Sequence, residues 1–256
     1  YLRARYYNPS IGRFTTEDPI KDGSNWYAYC GGNPVMFWDA SGYAYYGNKR
    51  TQNAVEAISD VVILNGAYGV YKGGYEISNW ARDKAVEYAK ANNYYSKNGD
   101  LITWDNKADA LRHFSWNAKM TREIGYYSAE VIASKHEYVT WNKEKMGAGE
   151  VYSVEFSSLM DLNNNLMGRE YANNNSTLSY DQLWMKAMAD GAIITSLDEV
   201  AVRYGLNNDQ IFTNVQKTKD GRTTETKFIR VYVPNDSKQQ PHIMNKNEYF
   251  KMSESR

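Results

Sequence analysis

A single cysteine, Cys30, in 256 residues excludes an intramolecular disulfide. A chain without disulfides is compatible with action inside a cell. Charge of one sign is also lacking. Thirty Lys and Arg balance 30 Asp and Glu. The chain therefore has no strongly basic field of the kind that marks a nucleic-acid binder. A nuclease with a local basic patch stays open, because net charge says nothing about distribution. Long apolar runs are missing too. The longest, Val61–Val70, is broken by Asn65, Gly66 and Gly69 and is too short for a membrane span. Gly73-Gly74 is not followed by the Gly-Lys-Ser/Thr of a phosphate loop. Ser115 lies two residues from His113, on a different side of a helix, so no nucleophilic triad is signalled. No signal peptide opens the sequence, and Tyr1 reads as the middle of a motif, so the expectation is a piece of a longer protein.

Hydrophobic residues make up 42%, with seven Trp and 23 Tyr, which argues against disorder in the body of the chain. Residues 1–37 read as short strands and turns: Leu2, Tyr6 and Phe14 suit strands, and Asn8-Pro9 and Ile11-Gly12 suit turns. Residues 44–51 read as a linker. Helical spacing begins at Thr51 with Val55, Ile58, Val61 and Val62. Further helices are expected over 78–92, 106–124, 127–145, 157–172 and 181–204, the last weakened by Gly191. Phe212–Lys217 and Lys227–Val233 alternate around Asp220-Gly221, which predicts a hairpin. Residues 236–256 are polar and read as a flexible tail. The expected architecture is a mostly α domain over 52–235 with a small C-terminal β-hairpin, preceded by short β-strands.

Three polar clusters interrupt these helices. Asp109, His113 and Asn117 recur at i, i+4 and i+8, with Arg112 and Trp116 beside them. Such a stripe is costly to bury unless each group finds a partner. His136-Glu137 ends the next helix; Glu137 there is a base, a ligand or an ordinary surface carboxylate. Asp161, Asn164, Asn165 and Gly168 share a face in the third, followed by Arg169. Three consecutive Asn are unexpected inside a run of Leu and Met, since Asn is a mediocre helix former. Each cluster alone reads equally as a satisfied core or a solvated helix face. Together they describe an assembled site.

In that site His113 is the candidate general base or acid, with His136 or Glu137 as its counterpart. Asp109 and Asp161 orient the histidines or hold a divalent metal ion. Arg112 and Arg169 are candidates to stabilise charge on a phosphoryl group. Asn117, Asn164 and Asn165 are candidates to orient substrate or fix a histidine tautomer. A metal set of His113, His136 and Asp161 is one arrangement. Residues 206–256 carry nine Lys and Arg against six Asp and Glu, a weak signal for phosphate-backbone contact.

Two resemblances add to this reading. Tyr1-Leu2-Arg3-Ala4-Arg5-Tyr6-Tyr7, Gly12-Arg13-Phe14, Glu17-Asp18-Pro19, Asn33-Pro34-Val35 and Asp39-Ala40-Ser41-Gly42 closely resemble the end of the Rhs (YD-repeat) core. That module precedes the variable C-terminal toxin of bacterial polymorphic toxins. The resemblance makes 1–43 the end of the core and 52–235 its cargo. It implies an Rhs shell and a cognate immunity protein as partners, secretion or delivery to a target bacterial cell, and frequent nuclease activity. It also offers Asp18 and Asp39 as core–cargo processing positions, although both read equally as turn caps. Separately, the Asp109–Asn117 stripe, His136-Glu137 and Met160–Arg169 together resemble a helical family of secreted bacterial proteins also found as toxin cargo. The expected function is hydrolysis of phosphodiester bonds, RNA or tRNA foremost. A hydrolase of membrane lipid or lipid-linked precursors is the alternative. A non-enzymatic pore-former or binding module, supported only by the glycine-broken segment 61–74, ranks last.

Overall fold

The computed structural model describes residues 71–138, 142–217, 223–235 and 240–254, with 7–8, 13–17, 27, 37–38, 46–47 and 69. Asp18, Asp39 and the helix expected from Thr51 lie outside the described residues. Strands β1 (Tyr7–Asn8) and β2 (Arg13–Phe14) pair antiparallel, as do β3 (Phe37–Trp38) and β4 (Tyr46–Gly47). The second pair places a strand inside the expected linker 44–51.

The body is mixed α and β. A π-helical turn, Lys72–Ile77, runs into α1 (Ser78–Ala91). Next come α2 (Lys107–Ile124) and α3 (Tyr126–Tyr138). Strands β5 (Asn142–Met146) and β6 (Gly149–Glu155) lead to α4 (Phe156–Asn174). Helices α5 (Tyr180–Ala189) and α6 (Asp198–Arg203) follow, then β7 (Phe212–Lys217) and β8 (Thr223–Pro234). The described chain closes with β9 (His242–Ile243) and α7 (Lys246–Glu254).

Helix α2 is the axis of the helical layer. Asn106 starts it by accepting the Ala108 and Asp109 N–H groups on its side chain, and Gly125 at φ 91° ends it. Twelve of its 18 residues are buried. One side enters the main core: Ala110, Leu111, Phe114 and Ala118 meet Leu159 and Met160 of α4 and Leu183 and Trp184 of α5. Burying Phe114 alone contributes about 2 kcal/mol. The other side carries Trp116, Met120 and Ile124 into a second cluster with Ile77, Ala81, Ala129 and Ala133. A helix packed on two sides has little surface left for polar residues except a protected one.

The sheet is antiparallel throughout, in the order β5-β6-β8-β7. Strand β8 pairs along one edge with β6, Val151 opposite Tyr232, and shares its other edge between β7 and β9. Val154 and Ile229 tie the sheet to the main core.

Four expectations are corrected. The helix predicted over 127–145 stops at Tyr138, and Asn142–Met146 is an edge strand. Its Asn-Lys-Glu-Lys sequence offers one buried side chain, Met146, so no strand period was visible. The helix predicted over 181–204 breaks at Asp190, where Gly191 adopts φ 65°, and resumes only at Asp198. The hairpin is part of a five-stranded sheet. The supposed tail over 236–256 supplies β9 and α7, whose Tyr249 and Met252 pack on buried Met146, Val151, Tyr232 and Met244.

Candidate functional site

Helices α2, α3 and α4 bring all three polar clusters together, and the closeness of α2 and α4 makes this possible. A Cβ at Gly168 would lie 2.3 Å from the Phe114 carbonyl oxygen and 3.0 Å from Asn117 Cβ. Only glycine lets the backbones approach so closely. Asp109, His113, Asn117, Glu137, Asn165 and Arg169 are all buried at this seam.

The hydrogen bonds fix the imidazole. Arg169 can only donate, and its Nη1 lies 2.9 Å from Asn117 Oδ1. Asn117 Nδ2 therefore faces Asn165, whose Oδ1 accepts it at 2.6 Å. The same Oδ1 lies 3.0 Å from His113 Nδ1, so Nδ1 carries the hydrogen. Nε2 is left as a bare lone pair, and Arg112 Nη2 donates to it at 2.8 Å. Burial, and then the Arg112 charge, hold His113 well below the usual histidine range, so the ring is neutral.

Two carboxylates face that lone pair. Asp109 Oδ1 is 3.7 Å from Nε2 and Asp161 Oδ1 is 3.3 Å from it. Asp109 is held from both sides, by the Asp105 N–H at 2.7 Å on Oδ2 and by Arg112 Nη2 at 2.5 Å on Oδ1. Asp105 itself sits at φ 54°, a conformation Asp tolerates better than most residues. Asp161 Oδ1 is buried and makes no hydrogen bond among the described residues. Burial, then Asp109 and Glu137, raise its carboxyl well above the usual range.

One atom each from Asp109, His113 and Asp161 lie within 4.8 Å of one another, a group that can hold a metal ion. One imidazole and two carboxylates suit divalent transition metals. The buried Asp161 oxygen without a hydrogen bond is what such a site would present. This corrects the metal set expected from His113, His136 and Asp161: Asp109 takes the place of His136. His136 instead packs its ring against Trp116, 5.9 Å away, in an adjoining cleft. Desolvation and the Arg112 charge both lower it.

The asparagines were expected to orient substrate or fix a histidine tautomer, and Arg169 to meet a phosphoryl group. Asn165 sets the His113 tautomer, and Asn117 and Arg169 support it through the relay above. Asn164 brackets the chain after α5: Nδ2 donates to the Ile194 carbonyl at 2.8 Å and Oδ1 accepts the Ile194 N–H at 3.0 Å. All four position other groups. Asp105 was missed. Its only sequence signal was the Asp105-Asn106 pair ahead of the helix.

Glu137 Oε1 lies 3.8 Å from His113 Nδ1. Burial outweighs the opposing Arg112 charge and pushes this carboxyl from 4.5 to about 7. Below pH 4.5 folded and unfolded chains both carry the proton. Between that value and about 7 only the folded chain keeps it, so the stability it confers is lost as pH rises through about 7. Glutamine is neutral at every pH. Glu137→Gln is thus expected to melt with the parent protein near pH 4 and increasingly above it toward pH 8, measured by thermal denaturation with chelator present. An offset independent of pH would show that Glu137 is not held protonated.

One comparison bears on the same segment. A family described as a domain of unknown function (DUF6973) matches residues 75–192, which contain every residue of the cluster. The putative uncharacterized protein YibJ of Escherichia coli (strain K12) is 30% identical over 92 residues, 35% of this chain and 39% of that protein. The chain thus spans about two fifths of the length of the curated relative it matches. No solved structure matches.

Proposed function

We propose that the Asp109–His113–Asp161 cluster is the catalytic centre of a metal-assisted hydrolase that cuts phosphodiester bonds, RNA foremost, and that the chain carries it as toxin cargo of an Rhs-type delivery system. The observation that carries the hydrolase reading is the unprotonated Nε2 of His113, which accepts from Arg112 Nη2 at 2.8 Å and is flanked by two buried carboxyl oxygens at 3.7 and 3.3 Å. A relay of two asparagines, anchored by Arg169, holds that lone pair in place. A divalent ion bound there would polarise a phosphoryl oxygen and lower the pKa of its bound water. Arg112, its side chain 37% exposed, reaches from the cluster toward solvent and can balance charge growing on phosphorus. His136, in the cleft beside it and shifted toward its neutral form, can accept a proton from the attacking water.

The delivery reading draws on the resemblance of residues 1–43 to an Rhs core. It brings with it the Rhs shell, an immunity protein and a target bacterial cell. Among the described residues no helix is long and apolar enough to cross a membrane.

The test is to incubate the purified chain with total tRNA and, separately, with phospholipid vesicles, supplying Mn²⁺, Zn²⁺ or chelator. RNA cleavage that requires the ion and disappears in Asp161→Asn is expected. Headgroup release with intact RNA would transfer the reading to a lipid phosphodiester. If neither substrate is consumed with any ion, the hydrolase reading fails.

A further inference from the structure

We infer that the cleft between α1, α2 and α3 is an oxyanion subsite that receives a phosphoryl group, with Arg82 and Asn79 as its outer ligands and Arg112 as its inner one. The inference rests on the phosphodiester reading for the source of the phosphate, but its chemistry is independent of any cleavage. The cleft has a volume of about 250 Å³ and is lined by Gly74, Ser78, Asn79, Arg82, Arg112, His113, Trp116 and His136. That is smaller than the 300–1,000 Å³ of drug-sized sites and suits a single headgroup.

Its lining is one-sided in charge. Two guanidinium groups and two imidazoles face the space, and no carboxylate is among these residues. Arg82 makes no ion pair and the Asn79 side chain no hydrogen bond among the described residues. The two lie three residues apart on α1, so they share a face. Arg112 divides its fork. Nε and Nη2 hold Asp109 Oδ1 at 3.0 and 2.5 Å, while Nη1 makes no hydrogen bond among the described residues. Three donor groups are therefore uncommitted around one small space. A planar guanidinium matches two oxygens of a phosphate at once.

The walls are built as well. Ser78 Oγ donates to the Gly74 and Tyr75 carbonyls at 2.9 and 3.0 Å, so it forms wall and not ligand. Trp116 Nε1 donates to the Gly73 carbonyl at 2.9 Å and pins the π-helical turn beside the cleft. Gly73 packs tightly, since a Cβ there would meet Ile132 Cδ1 at 2.6 Å, whereas a Cβ on Gly74 would meet nothing within 4 Å. π-helical turns of this kind frequently border functional sites. The indole supplies an apolar side that strengthens charge–charge attraction.

Titration calorimetry of the chain with inorganic phosphate, adenosine monophosphate and glycerol 3-phosphate tests the assignment. All three should bind, with Arg82→Ala weakening each by about tenfold, the scale of a charged hydrogen bond. Asn79→Ala should weaken them less. Arg82→Lys should restore only part, because the fork is lost. A preference for the nucleotide would name nucleic acid as the source, and one for the glycerol ester a lipid headgroup. Phosphate affinity unchanged in both Arg82→Ala and Asn79→Ala overturns the subsite, as does absence of binding by the parent protein. RNA cleavage with an unaltered KM in Arg82→Ala would remove the subsite and leave the hydrolase. Arg82-dependent binding without hydrolysis would do the reverse.

Discussion

Gly168→Ala is expected to destabilise the chain by about 3 kcal/mol, the upper end of what overpacking costs. For a chain of this size that lowers the melting temperature by roughly 6–12 °C. The added methyl would lie 2.3 Å from the Phe114 carbonyl oxygen. That atom belongs to the backbone of a helix buried on two sides, so it cannot swing away as a side chain would. The helices must part instead. Parting them lengthens the Asn117–Asn165 bond of 2.6 Å and the His113–Asn165 contact of 3.0 Å, so divalent-ion retention should fall with stability. Gly74→Ala is the control. Its Cβ meets nothing within 4 Å, and a helical glycine replaced by alanine gains a few tenths to 1 kcal/mol. Denaturation midpoints of the two variants should move in opposite directions. If Gly168→Ala leaves the midpoint unchanged, α2 and α4 are not in backbone contact.

The same seam explains what the sequence did and did not disclose. Helices α1, α2 and α4 were visible because their apolar residues keep a 3.6-residue period. The stripe Asp109-His113-Asn117 was visible as a polar face on an otherwise apolar helix, and the structure brings it beside Asp161 and Asn165. The reasons for individual side chains were not visible. Asn164 and Asn165 are neighbours of one type, yet one holds the Ile194 backbone and the other the histidine, a split set by tertiary position alone. Arg169 looked like a substrate contact, but the oxygen it meets belongs to Asn117. Arg82 belongs to none of the three polar clusters, and only the fold places it at the cleft with Arg112. The edge strand β5 was hidden because its charged residues carry no alternation, and pairing with β6 defines it instead.

Asp161→Asn and Arg112→Ala are expected to change divalent-ion affinity in opposite directions. Asp161 would supply one of three ligand atoms, and its loss should weaken Zn²⁺ or Mn²⁺ binding at least 10–100-fold, the cost known for disturbing the groups around a bound metal. Arg112 has a different relation to the ion. Its Nη2 lies 2.8 Å from His113 Nε2 and 2.5 Å from Asp109 Oδ1, so a cationic nitrogen already bridges two of the three ligand atoms. An ion can enter only as this guanidinium withdraws toward the cleft. Removing the side chain abolishes the competition, and affinity should rise by roughly tenfold, the factor set by one charge-assisted bond. Cleavage should nevertheless fall in the same variant, because the charge on phosphorus loses its partner. Binding should also release protons. Burial and the neighbouring carboxylates keep the Asp161 carboxyl well above its usual range, and ligation requires it ionised. Affinity of the parent protein should therefore climb as pH rises, with proton release read by calorimetry in two buffers of different ionisation enthalpy. Asp161→Asn should bind weakly and release fewer protons. Equal affinity in the parent and both variants would mean that this buried group of one imidazole and two acids is a packing arrangement, with the histidine satisfied by Arg112 and Asn165 alone.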